Sequence, residues 1–163
     1  MDLTSDILVA GIGNIFLGDD GFGPEVIRHV PHIAGPRVQL RDYGIRGMHL
    51  AYDLLDGCDA LVLVDALPNQ GAPGALHVFE ADHQRLSSGL GLDAHAMDPA
   101  AVFASLNALG GSPPYTVVVG CEVASVDEEI GLSPSVAAAV PQAVQAIEGV
   151  VADLLTRSTM KEG

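Results

Sequence analysis

Positive charge is scarce in this sequence. Its 163 residues carry 7 Lys and Arg against 21 Asp and Glu, a net charge of −14. So few basic side chains cannot neutralise a phosphate backbone, which excludes nucleic acid as a partner class. They offer equally little to an anionic membrane surface. Cysteine is also rare. Cys58 and Cys121 lie far apart and form no CxxC, so they read as free thiols of a reducing compartment. No segment approaches the ~20 apolar residues of a membrane span. The acidic start "MDLTSD" leads into an apolar run too short for a signal peptide. A cytoplasmic protein is therefore expected. Three catalytic signatures are missing as well: the G-x-S-x-G elbow, HExxH, and the phosphate loop G-x-x-x-x-G-K-[ST].

What is present is an apolar fraction of 48%, enough for a core without disulfides, and a regular alternation of strand and helix patterns. The runs "DILVA" (6–10), "DALVLVDA" (59–66) and "YTVVVGCE" (115–122) are nearly all apolar and predict strands buried on both faces. "RVQLRDYG" (37–44) alternates, as a half-buried strand does. "ALHVFE" (75–80) follows a loop short enough to return antiparallel. Helices are predicted from about Gly21 to His32, over Met48–Gly57, over "PAAVFASLNALGG", and from Pro134 onward, with Ser133 as N-cap and Pro134 at N1. Pro141 should kink or split that last helix. Residues 81–98 read as mostly loop and 156–163 as a frayed tail. The pattern predicts one α/β domain over 1–163: a three-layer sandwich with a mostly parallel, twisted sheet of about five strands flanked by helices on both faces.

In such sheets ligands bind beyond the carboxyl ends of the strands. Acidic residues gather there: Asp19 and Asp20 with Asn14 after the first strand, Asp42 after the second, Asp65 after the third, and Glu122 with Cys121 after the last. Only Arg41 or Arg46 is placed to balance them. A cation is the economical way to keep several carboxylates ionised in one cleft. A transition metal would also draw a nitrogen ligand. Of the six histidines, His95 in "GLDAHAMDP" precedes a proline-started helix that can carry it to the same edge. Asp20, Asp65 and His95 then form a set of two carboxylates and one imidazole. Each also has a plainer reading: Asp20 as a residue favoured at a helix N-terminus, Asp65 as a turn residue, His95 as a cap or surface histidine.

The glycine turn "GIGNIFLGDDGFG" (11–23) invites a dinucleotide reading, but its third glycine position is Phe16, and two aspartates would repel a pyrophosphate. A tight turn needing backbone freedom explains the glycines better. Asp19 is expected either to tune the site or to cap the following helix. Cys121 stands at a strand end, where a nucleophile could sit, yet no histidine partner can be assigned to it, so it reads as a core thiol.

The segments "ILVAGIGNIFLGDDGFG", "LVLVDA", the histidine of "DAHAMDP", "GCE" and "IGLSPSVAAAVPQAV" together resemble the maturation endopeptidases of nickel–iron hydrogenases, in order, from Asp6 to about Leu155. Two departures stand out: Val123 replaces the proline of G-C-E-P, and Asp42-Tyr43-Gly44 replaces D-G-G. The resemblance implies an endopeptidase that removes the C-terminal extension of the hydrogenase large-subunit precursor once nickel is in place. It makes Asp20, Asp65 and His95 the metal-binding and catalytic set, with Asp42 at a further acidic position of the cleft. The implied ion is divalent: nickel carried by the substrate, or zinc or another resident ion. The alternatives are a non-catalytic nickel- or large-subunit-binding chaperone and, more remotely, a nucleotide-dependent enzyme.

Overall fold

The computed structural model describes residues 6–31, 37–82 and 99–162. The chain runs β1 (Ile7–Ile12), a 3-10 turn (Gly18–Gly21), α1 (Phe22–His29), β2 (Val38–Gly44), α2 (Gly47–Leu55), β3 (Ala60–Leu67), β4 (Leu76–Glu80), α3 (Pro99–Ala108), β5 (Tyr115–Glu122) and α4 (Pro134–Glu162). The five strands form one sheet in the order β2-β1-β3-β5-β4. All neighbours are parallel except β4, which returns antiparallel along β5.

Strand side chains alternate between the two faces, so a continuous apolar strand feeds two cores. Val9, Val62, Val64 and Val119 pack with Phe22 and Val26 of α1 and with Val136, Ala143 and Ile147 of α4. Leu8, Ala10, Leu61, Leu63 and Val118 pack on the other face with Leu50 and Leu54 of α2 and Phe103 and Leu106 of α3. This is the expected single α/β sandwich, with helices on both faces.

Three local expectations need correction. The first helix ends at His29, not His32, because Val30 turns extended (φ −74, ψ 122) ahead of Pro31. A residue before proline is pushed out of the helical region. Pro141 does not split α4, which continues to Glu162. An interior proline costs about 3 kcal/mol. The buried stripe passes through it: Val136 and Val140 lie before, Ile147, Val151 and Leu154 after. Each such side chain contributes about 1.5–3 kcal/mol on burial, so packing outweighs the proline. The third concerns hydropathy. The stretch Pro134–Thr156 is long and apolar enough to cross a bilayer, contrary to the expectation that no segment would be. Its stripe is instead part of the core between sheet and helix.

Candidate functional site at the carboxyl ends of β1 and β3

β1 and β3 lie side by side in register, Gly11 opposite Val64, so the chain leaving β1 passes the place where β3 reaches Asp65. Two glycines bring the next elements down onto that edge. Gly13 has φ +143, and a Cβ there would lie 2.0 Å from the carbonyl oxygen of Asp20. A Cβ on Gly23 would meet the carbonyls of Ile12 and Val64, each at 2.4 Å. Only bare glycine backbone allows the 3-10 turn and α1 to sit so close to both strands. Gly13 and Gly23 of the opening motif thus serve close packing, which agrees with the turn reading.

Asp20 is carried on this turn with 1% of its surface exposed, and Asp65 at the end of β3 with 3%. The Asn14 backbone N–H donates to Asp20 Oδ2 at 2.8 Å, and Asn14 Oδ1 accepts from the Phe16 N–H at 2.9 Å. The loop therefore folds around the carboxylate. Asp65 Oδ1 accepts from the N–H of Ala66 at 2.8 Å. Asp20 is not a side-chain cap for α1, whose N-cap is Gly21. The structure thus places two buried carboxylates at the same end of two adjacent strands. His95 lies outside the described residues. Among the described residues no group of three or more His, Cys, Asp or Glu is arranged to hold a metal ion.

The wider convergence of acids expected at this edge divides by role. Asp19, wholly buried, does not cap α1 through its side chain. Its carboxylate accepts the N–H groups of Ala124, Ser125 and Ser133 and the Ser133 hydroxyl, at 2.7–3.0 Å. Burial pushes its pKa up, but the bonds from Ser133, Ser125 and Ala124 outweigh this and hold it below the usual 3.8. Asp19 therefore ties the β1 turn to the β5–α4 loop and to the start of α4. Asp42 caps its own turn through the Gly44 N–H at 2.9 Å. Arg41 pairs with Asp53 at 3.7 Å, and Arg46 donates to the carbonyls of Asp42 and Tyr43. No sequence signal links Asp19 to partners more than 100 residues away.

Glu122 also does structural work. It takes His77 Nε2 at 2.7 Å and the N–H groups of Gln70 and Ala72 at 2.8 and 3.1 Å, closing the β3–β4 loop. The His77 bond, then that of Gln70, against an opposing push from burial, hold its pKa below 4.5. The loop closure it provides is thus present above that value and lost as pH falls through the lower one. Glu122→Ala should raise protease cleavage within residues 68–74 several-fold at neutral pH. Wild type should acquire the same sensitivity only in acid, as read by limited proteolysis and mass spectrometry. Cys121, fully buried, has its thiol pushed up to about 11 by burial and by the charges of Asp19 and Glu122. Its side chain lies in the core shared with α1 and α4, as a core thiol does.

Comparison with known proteins places the chain in a family. A family model described as hydrogenase maturation protease matches residues 25–150. The chain belongs to that family. The matched span includes Asp65 and His95 and begins after the glycine turn that carries Asp20. A Methanocaldococcus jannaschii protein with the provisional name of hydrogenase maturation protease is 34% identical over 90% of this chain and 96% of its own length. The hydrogenase 2 maturation protease of Escherichia coli is 28% identical over 86% and 87%. The hydrogenase maturating endopeptidase HybD of Escherichia coli superposes with a TM-score of 0.76 at 26% identity, covering 91% of this chain and 93% of that one. This hydrogenase maturation protease family member is thus homologous to endopeptidases of the same fold over nearly its whole length.

Proposed function

We propose that this protein is the endopeptidase that removes the C-terminal extension of a nickel–iron hydrogenase large-subunit precursor, and that it acts only after nickel has been inserted. One observation carries the reading: Asp20 and Asp65, distant in sequence, are both buried at the carboxyl ends of β1 and β3 in a chain of the maturation protease family. The nickel is part of the substrate. Two carboxylates with the imidazole of His95 make an oxygen-and-nitrogen donor set suited to nickel, or to zinc as a resident ion. A precursor that presents nickel gains these contacts and an empty precursor does not, so selectivity is the difference between the two affinities. A divalent ion at this position supplies Lewis-acid polarisation of the scissile carbonyl. Asp20 and Asp65 hold the substrate's metal region at the strand ends, and the packed glycine turn keeps Asp20 in place. The reading carries a cytoplasmic location, supported by the free thiols Cys58 and Cys121.

The test is to incubate the protein with nickel-loaded and nickel-free precursor and follow the mass of the large subunit. Loaded precursor should be shortened, and empty precursor at least about 10²-fold more slowly, as a coupling of nearly 3 kcal/mol requires. Equal processing of both removes the gating. An unchanged mass in both removes the protease reading in favour of a maturation chaperone.

A further inference from the structure

The 3-10 turn that carries Asp20 has a second face. Gly18 and Gly21, which bracket Asp19 and Asp20, line an open groove of about 420 Å³ between α1 and the start of α4. Its apolar wall is made by Ile15, Ile130, Leu132, Val140 and Pro141. Ile130 is 76% exposed and Ile15 46%, large apolar side chains left to water at the lip. Next to Ile130 the loop reads Asp127-Glu128-Glu129, all exposed. This loop is held in place. Gly18 N–H donates to the Glu129 carbonyl at 2.8 Å and Asp19 N–H to that of Ser125 at 2.9 Å, and Leu17 and Glu129 form a parallel bridge. At the groove's other end Arg28 is engaged by Glu25 at 3.3 Å. The groove is therefore apolar along its wall, holds Arg28 and His29 paired with Glu25 at one end, adjoins the exposed acidic run Asp127–Glu129 next to Ile130 at the other, and is continuous with the turn that carries Asp20.

Pro141 adds a polar detail. It has no N–H, so the carbonyl of Ala137 loses the donor a regular helix would supply. Ala137 and Pro141 both line the groove and both are exposed. A peptide chain lying there finds a main-chain acceptor.

We propose that this groove is the docking subsite for the precursor polypeptide, and that it takes an apolar segment carrying a basic side chain. The proposal rests on the protease reading and names how that substrate is held. The apolar side chains seat against Ile130 and Ile15, where removal from water drives binding. The basic side chain meets Asp127–Glu129 in a field already set by a net charge of −14. A peptide N–H reaches the Ala137 carbonyl. Anchored on one face of the turn, the segment delivers the neighbouring chain to the carboxylates on the other.

The experiment measures the Kd of nickel-loaded precursor by calorimetry, and KM and kcat of its processing, for wild type, three groove variants and one control variant. Ile130→Glu should raise Kd and KM tenfold or more with kcat little changed, and its exposure keeps the fold intact. Asp127→Asn with Glu128→Gln should raise both severalfold and flatten their salt dependence. Pro141→Ala should raise the melting temperature and KM together, whereas a merely structural proline would raise the first alone. Leu109→Ser, exposed past the end of α3 and ahead of β5 on the opposite edge of the sheet, should change neither constant. Unchanged Kd and KM in the groove variants overturn the subsite while leaving the protease reading in place. Absence of cleavage by wild type sinks that reading, and the Kd values still decide the groove.

Discussion

Asp20→Asn and Asp65→Asn should fold, hold their melting temperature, and process nickel-loaded precursor about 10²-fold or more slowly than wild type. The reasoning separates shape from charge. Asparagine keeps an oxygen for the Asn14 N–H that Asp20 accepts and for the Ala66 N–H that Asp65 accepts, so the local turns survive. It removes a negative charge from a position that is 1% or 3% exposed, and burying a charge is costly unless something compensates it. What disappears is the anionic donor. An amide oxygen is a much weaker ligand for a divalent ion, and losing one preorganised electrostatic group costs about 10²–10³ in rate. The effect should fall on discrimination as well. If the carboxylates recognise substrate nickel, the residual activity of either variant should be nearly indifferent to nickel loading. A variant that cleaved loaded precursor at the wild-type rate would remove that side chain from the site. Running Asp20→Asn, Asp65→Asn and His95→Ala in parallel, with mass spectrometry of the product and thermal unfolding of each protein, settles which of the three act as a unit. Members of one site should give non-additive losses when combined.

Asp19→Asn, one residue away, should behave in the opposite manner: a stability defect first and an activity defect only through it. Asp19 Oδ2 accepts from Ala124, Ser125 and the Ser133 hydroxyl, and Oδ1 from the Ser133 N–H. An amide can place its oxygen at only one of these positions, and its NH2 then confronts donors at the other. Each buried donor left unmatched costs about 1–3 kcal/mol, so a loss of about 2–5 kcal/mol is expected. That corresponds to a melting temperature lower by roughly 5–15 °C for a chain of this size. The pH dependence has a definite sign. The folded-state pKa of Asp19 lies below 3.8, so its contribution is complete above the unfolded value and disappears as pH falls through the folded one. Wild type should lose stability in that acid window, and Asp19→Asn should lose less there because it has already forfeited the contribution. Denaturant midpoints measured from pH 7 down to pH 2 would show the two curves converging. Because the same bonds hold the loop that bears Ile130, Asp19→Asn should also raise KM before it lowers kcat. A melting temperature equal to wild type would remove Asp19 from this structural role.

The architecture was open to reading from periodicity alone. Strands such as Leu61–Val64 are apolar at every position because both sheet faces are covered, and helices between them force parallel crossovers. The antiparallel return of β4 follows from a loop too short for a crossover. Of the two outcomes expected at Pro141, a split did not occur, because helix propensity is a local quantity, whereas the stripe from Val136 to Leu154 is stabilised by contacts with strands far away in sequence. The apolarity of α4 serves the core in the same way, and hydropathy by itself does not distinguish a core from a bilayer. Among the acidic residues, position relative to strand ends pointed to Asp20 and Asp65 but pointed equally to Asp19 and Glu122. Only their hydrogen bonds, to Ser133 in one case and to Gln70 and His77 in the other, show that these two carboxylates are spent on closing loops.

Composition and order along the chain were sufficient to decide that this is a single parallel α/β layer structure, poor in groups that bind anions and rich in acids at one edge. They sufficed because burial, period and turn chemistry act over a few residues at a time. Tertiary structure alone decided that Asp19 and Glu122 close loops, and that the turn bearing Asp20 has a groove on its far side. A carboxylate's role depends on the groups folding brings within about 3 Å of it, and those groups come from strands and loops up to 114 residues away.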